Sequence, residues 1–230
     1  MQVVVAESWR SNHPGARVGM LAVRGARNPA RAEALDAASR SLEQSLREQF
    51  AGRTRSELGR LPTLAAYNAF YKPFGKSYHV QLQLESVVLK GKALASASAL
   101  VQAMFMAELG GQLLTAGHDL DRVVPPLTIA ASAGGENYTR INSQSQTLKA
   151  KDMYTADTLG ILSSVIYGPD ERTQLRPETT RVLYVSYAPV GVATDALWQH
   201  LRDIESYVRL VAPEAVEEQI ADFGGSEPIN

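Results

Sequence analysis

The chain has 230 residues, no cysteine and a formal net charge of −1, with 45% apolar and 20% charged residues. That size and balance suit a globular fold with a sizeable core, and no apolar run approaches the roughly 20 residues that cross a bilayer. The lack of cysteine excludes disulfides, thiol nucleophiles and thiolate metal sites, and the near-zero charge excludes a global field that would draw in nucleic acid.

Residues 2–6 and 17–24 read as short strands around a turn at Asn12-His13-Pro14-Gly15. Val3-Val4-Val5 is too short for the apolar core of a signal peptide and Glu7 follows it, so a cytoplasmic address is expected. Asn28-Pro29 predicts a helix start, and Leu35, Ala38, Leu42, Leu46 and Phe50 line one face of a helix that stops near Gly52. A second helix from Pro62 places Tyr67, Phe70, Tyr71 and Phe74 at i, i+3, i+4 and i+7. Four aromatics on one face are expected to be core, each worth on the order of 2 kcal/mol when sequestered. Tyr71 and Tyr78 are the expected exceptions, free to stack on a ligand.

A short helix over 84–90 and an Ala/Met-rich helix over 97–109 end at Gly91 and at Gly110-Gly111. Strands are expected at 112–116, 127–132 and 137–141. The unbroken run over 160–167 predicts a central strand covered on both faces, and 181–187 another strand. Thr194 or Asp195 caps a long amphipathic helix, and an acidic helix is expected over 213–223. The fold class that follows is α+β: one domain over 1–230, with helices packed on a mixed, largely antiparallel sheet.

The four histidines are scattered, with no HxH or HExxH spacing, and no phosphate-cradling glycine loop or GxSxG elbow is present. No metal, no cofactor and no ATP site are therefore expected, and no catalytic residue is assigned. His118-Asp119 is adjacent on a strand, where neighbours face opposite ways, so Asp119 or Asp121 is expected to accept turn amides. Gly134-Gly135-Glu136 sets a carboxylate directly after a glycine pair, which lets backbone approach a ligand, unless the segment simply turns. Between residues 53 and 92, seven bases (Arg53, Arg55, Arg60, Lys72, Lys76, Lys90, Lys92) face two acids, a local footprint for phosphate or a solvated face. From Asp195 onward eight acids face two bases.

The order of several short motifs resembles the tRNA-editing, B3/B4-type module of the phenylalanyl-tRNA synthetase β subunit, in free-standing form. The matching residues are Tyr71-Lys72-Pro73-Phe74-Gly75, Glu85 through Lys92, Gly117-His118-Asp119-Leu120-Asp121, Gly135-Glu136 and Thr155-Ala156-Asp157, and they cover about residues 60–210. The N-terminal elements over 1–52 and the acidic helix are then packed on that region, and a three-layer arrangement is implied. The resemblance implies a tRNA partner and hydrolysis in trans of a mischarged aminoacyl ester. It also implies that Glu136 reads the tyrosine hydroxyl and that Thr155 and Ala156 shape the same pocket. A site built to pair a hydroxyl rejects the analogue lacking it at a cost of roughly 1–3 kcal/mol or more. Two departures weaken the polar side of that pocket. Val101-Gln102-Ala103-Met104-Phe105 stands where the family carries Val-Asp-x-x-Asn, and Ala130 stands where it carries arginine. They favour an alternative, a non-catalytic module for a small amino-acid-like ligand or a protein partner.

Overall fold

The computed structural model of the protein describes residues 1–225. The chain opens with β1 (Val3–Val5), α1 (Glu7–Asn12), β2 (Arg17–Arg24), α2 (Glu33–Gln49), α3 (Arg55–Leu58), α4 (Pro62–Tyr71), α5 (His79–Val88) and α6 (Ala99–Gly111). Strands then dominate: β3 (Leu114–Asp119), β4 (Leu127–Ala131), β5 (Asn137–Thr139), β6 (Ser145–Thr147), β7 (Met153–Asp157), β8 (Gly160–Ser164), β9 (Gly168–Pro169) and β10 (Arg181–Ala188). Helix α7 (Thr194–Val211) and β11 (Val216–Gly224) complete it.

Two sheets form, ordered β11-β2-β10-β3 and β1-β4-β7-β8-β9, with a β5-β6 hairpin beside them. Among the described residues only β1 and β4 pair in parallel; the fold is α+β with mostly antiparallel sheets. Alternation along β2 and β10 explains the layering. Val18, Met20, Leu183 and Val185 face the second sheet and α4, in one cluster with Tyr67, Ile129 and Leu162. Leu21, Val23, Val182 and Tyr184 face α6 and α7. The layers are therefore a helix pair, a sheet and a second sheet. β2 and β10 are covered on both faces, and their near-continuous apolar runs follow from that.

Several expectations change on contact with this frame. Residues 7–12 form a helix, so β1 and β2 enter different sheets instead of pairing across the Asn12–Gly15 turn. The run after Gly160 gives a five-residue strand beside the two-residue β9, near the sheet edge. Helix α2 begins at Glu33 with no side-chain cap, because Asn28 is spent elsewhere: its Oδ1 accepts from the Leu100 amide at the start of α6, 2.9 Å away. Residues 216–224 are a strand paired with β2, where an acidic helix over 213–223 was expected. Its acids answer arginines on neighbouring elements: Glu217 to Arg202, Glu218 to Arg181 and Asp222 to Arg17. No helix is long and apolar enough to cross a membrane among the described residues.

Candidate functional site

Helix α6 repeats apolar residues on every face, but Val101, Met104, Phe105 and Glu108 fall at i, i+3, i+4 and i+7 and share one. That face fronts a cavity of about 530 Å³. His79 and Gln83 of α5 form a second wall, Leu114 to Gly117 of β3 the floor, and Ser164, Val165, Gly168 and Pro169 the far side. Leu175 and Tyr187 close it; a Cβ on Gly117 would stand 2.9 Å from Leu175 Cδ1, so the glycine keeps that contact open. A space of this size accommodates a small organic ligand.

Of the polar side chains around it, Glu108, Thr115, Ser164 and Tyr187 are buried, Gln83 and Gln174 are half-buried and His79 is exposed. Glu108 is 1% exposed; its Oε1 accepts from the Thr115 amide at 2.8 Å, and its Oε2 has no partner among the described residues. Burial lifts this carboxyl to about 8, against the opposing pull of the Thr115 amide. Gln83 Oε1 is likewise buried and unpartnered. Behind the floor, Thr115 Oγ1 lies 2.8 Å from Ser186 Oγ and 2.6 Å from His200 Nε2, and burial holds that imidazole down at about 4. On the far side Ser164 donates to Asp152 at 2.6 Å, and burial lifts the Asp152 carboxyl to about 7.

A chain of hydroxyls runs inward from the cavity wall between the two sheets. Tyr187 OH lies 2.8 Å from Ser163 Oγ and 2.9 Å from Thr155 Oγ1, and Ser163 Oγ lies 3.2 Å from His118 Nε2. His118 Nδ1 meets Thr173 Oγ1 at 2.8 Å, and Thr173 donates to Asp170. That donation fixes Thr173 Oγ1 as acceptor from Nδ1–H, leaving Nε2 to accept from Ser163. Burial pushes His118 down to about 3, so the ring is neutral.

The expected site residues separate in space. Gly134 and Gly135 adopt φ of 95° and 108°, as a glycine turn requires. Glu136 folds back on its own turn: Oε2 accepts from Ser132 Oγ at 2.5 Å and the Gly134 amide at 3.1 Å, and Oε1 from the Ala133 amide at 2.8 Å. Burial pushes its carboxyl up, but these hydrogen bonds outweigh that and hold it below the ordinary value. Neither Gly135 nor Glu136 lines the cavity, and no hydrogen bond joins Glu136 to Thr155 or Ala156. Thr155 stands in the hydroxyl chain, one side chain behind the cavity wall, and Ala156 points to the opposite face of β7. The segment where the resemblance breaks, Val101 to Phe105, is the one that forms the wall, and it makes that wall apolar.

Tyr71 and Tyr78 are buried, donating to Val165 O and Gln112 O at 2.7 and 2.9 Å, and Tyr78 stacks on Tyr67. They are core, against their expected exposure. Arg53, Arg55, Arg60, Lys72, Lys76, Lys90 and Lys92 are all exposed, none lines the cavity, and Arg55 is paired with Glu85 at 3.0 Å. Asp119 accepts from the Asp121 amide at 3.2 Å and from Thr179, as a turn acid does. Glu108 went unnoticed in the sequence, although a lone acid on the apolar face of an Ala/Met helix was its signal.

Fold and site together define an α+β protein with a partly open, mainly apolar cavity between a helical layer and the edge of a sheet. No family model matches the sequence, and no curated protein is similar to it. Among solved structures, an N-terminal fragment of the phenylalanyl-tRNA synthetase β subunit from Pyrococcus horikoshii is similar at a TM-score of 0.47 and 12% identity. The match covers 95% of this chain and 54% of that one, so the chain spans about half the length of the fragment; the likeness is one of fold and is weak.

Proposed function

We propose that the protein is a binding module for a small amino-acid-like ligand, held in the cavity between α5, α6 and β3. The observation that carries this is the cavity itself: about 530 Å³ of mainly apolar-walled space. A pocket of this size with mainly apolar walls and a few polar groups is where a small ligand binds by default. Calorimetric titration with free aromatic and aliphatic amino acids tests the reading. A cavity-filling Val101→Trp is expected to abolish binding while the protein still folds; binding unchanged by that substitution would place the ligand elsewhere.

A second reading, in which the amino-acid-like group arrives on the end of a tRNA and the protein acts in the cytoplasm, is favoured by one observation. Helix α5 carries cavity residues His79 and Gln83, Lys76 lies just before it, and Lys90 and Lys92 lie just beyond it. Phosphate contacts on those bases would make binding fall steeply with salt. On this reading an aminoacyl-tRNA binds more tightly than the free amino acid at low salt, and Lys76→Glu with Lys90→Glu removes the difference.

A further inference from the structure

Strand β3 is terminal in its sheet, so one edge of its backbone faces away from β10. Antiparallel neighbours alternate in which residues exchange hydrogen bonds, and two amides fix that alternation here. The Asp119 N–H turns away from β10 to Thr173 O at 2.7 Å, and the Thr115 N–H to Glu108 Oε1 at 2.8 Å. Gly117 falls between them in the same phase, so its N–H and its C=O both point off the free edge. Neither group has a protein hydrogen-bond partner among the described residues, and Gly117 is part of the cavity floor. Backbone groups of this kind are satisfied by water or by a ligand.

We infer that the cavity takes a neutral N-acylated amino-acid amide with an apolar side chain, paired like a short strand segment against the backbone of Gly117. This rests on the ligand-binding reading of the cavity and narrows it. A residue opposite Gly117 offers its N–H to the glycine carbonyl and its C=O to the glycine amide, the reciprocal pair of an antiparallel ladder. Residues directly opposite place their side chains on the same face of a sheet. A Cβ on Gly117 would point at Leu175 and Tyr184, which pack in one cluster with Val101, Met104 and Phe105 of α6. The ligand's side chain is therefore directed toward that apolar wall.

Charge favours the amide over a free amino acid. The lining holds no lysine, arginine or aspartate. Its one carboxyl, Glu108, is lifted to about 8 by burial, and its one imidazole, His79, is lowered by desolvation, so both are uncharged near neutral pH. An ammonium and a carboxylate would leave water there with no counter-charge. The amide brings the donor and the acceptor that Gly117 matches, and no charge.

The probes are N-acetyl-L-leucinamide, the same molecule methylated on the leucine nitrogen so that its N–H is lost, and free L-leucine. Each is titrated into isotope-labelled protein and followed through the backbone amide signals by NMR. The unmethylated amide is expected to move the Gly117 amide proton downfield, and to bind at least about fivefold more tightly than either of the other two. A methylated probe as tight as its parent, or a Gly117 signal unmoved by bound amide, overturns the pairing on β3 and leaves the cavity a ligand site. Leucine as tight as the amide overturns the selection for a neutral ligand. Failure of all three probes to bind overturns the cavity reading as well.

Discussion

Glu136 and Glu108 show how the same side chain is spent in opposite ways. Glu136 follows two glycines, and four residues of chain suffice to bring the Ser132 hydroxyl and two amides to its oxygens. The positive-φ turn was legible from the glycines; the carboxylate's destination was not, because local amides reach it before any ligand can. Glu136→Ala is expected to cost about 1 kcal/mol in urea unfolding and to leave cavity binding unchanged. Its carboxyl is held below the ordinary 4.5, so its contribution is complete above that value and fades as pH falls through the folded value. A loss of ligand affinity in Glu136→Ala would return the residue to the site. Glu108 lies on a helix whose other residues on that face are apolar, and only packing against Thr115 shows that one oxygen is used and the other free.

Elements were read well where burial follows period and poorly where a distant partner decides. The spacing of Tyr67, Phe70, Tyr71 and Phe74 predicted a buried face; Tyr67 is buried, Phe70 and Phe74 are half-buried, and Tyr71, expected as an exception, is buried as well. What spacing does not carry is the double duty of Tyr67, whose hydroxyl donates to Tyr187 O and accepts from the Leu114 amide at 2.8 Å, tying α4 to both β10 and β3. Tyr67→Phe strands two buried backbone groups and is expected to cost roughly 1–3 kcal/mol in chemical denaturation, well beyond the effect of an exposed Tyr→Phe change. β11 was misread because its acids suit a helix, whereas arginines on β2, β10 and α7 and an open edge of β2 draw it into the sheet. Between β2 and α7 the fit is close: a Cβ on Gly19 would lie 2.9 Å from both Leu197 Cδ1 and Leu201 Cδ1. Gly19→Val is expected to destabilise by about 1–3 kcal/mol through overpacking, read as a lower urea midpoint.

Across the whole molecule, the α+β class and the long helices could be read from sequence, since they depend on composition and period. The pairing of strands into two stacked sheets could not, because β1 to β4 and β2 to β11 are long-range choices. Four buried titratable groups then set how stability varies with pH. Glu108 and Asp152, raised from 4.5 and 3.8 to about 8 and about 7, hold protons that the unfolded chain releases, so they lower stability as pH climbs through those windows. His118 and His200, lowered from 6.5 to about 3 and about 4, resist protons that the unfolded chain takes up, so they lower stability as pH drops below 6.5. The two pairs oppose one another between 4.5 and 6.5. The expected melting temperature is flat across that interval and falls on either side; a monotonic profile would show that these groups are not buried as described. The hydroxyl–imidazole chain from Tyr187 to Asp170 has one more effect. Two greasy sheets laid face to face have little to stop them sliding, but directional bonds that bridge them work only in one alignment. Tyr187 and His118 on one sheet are pinned to Thr155 and Ser163 on the other, so the chain acts as a dowel, and the cavity beside it keeps its shape because its two walls cannot shear apart.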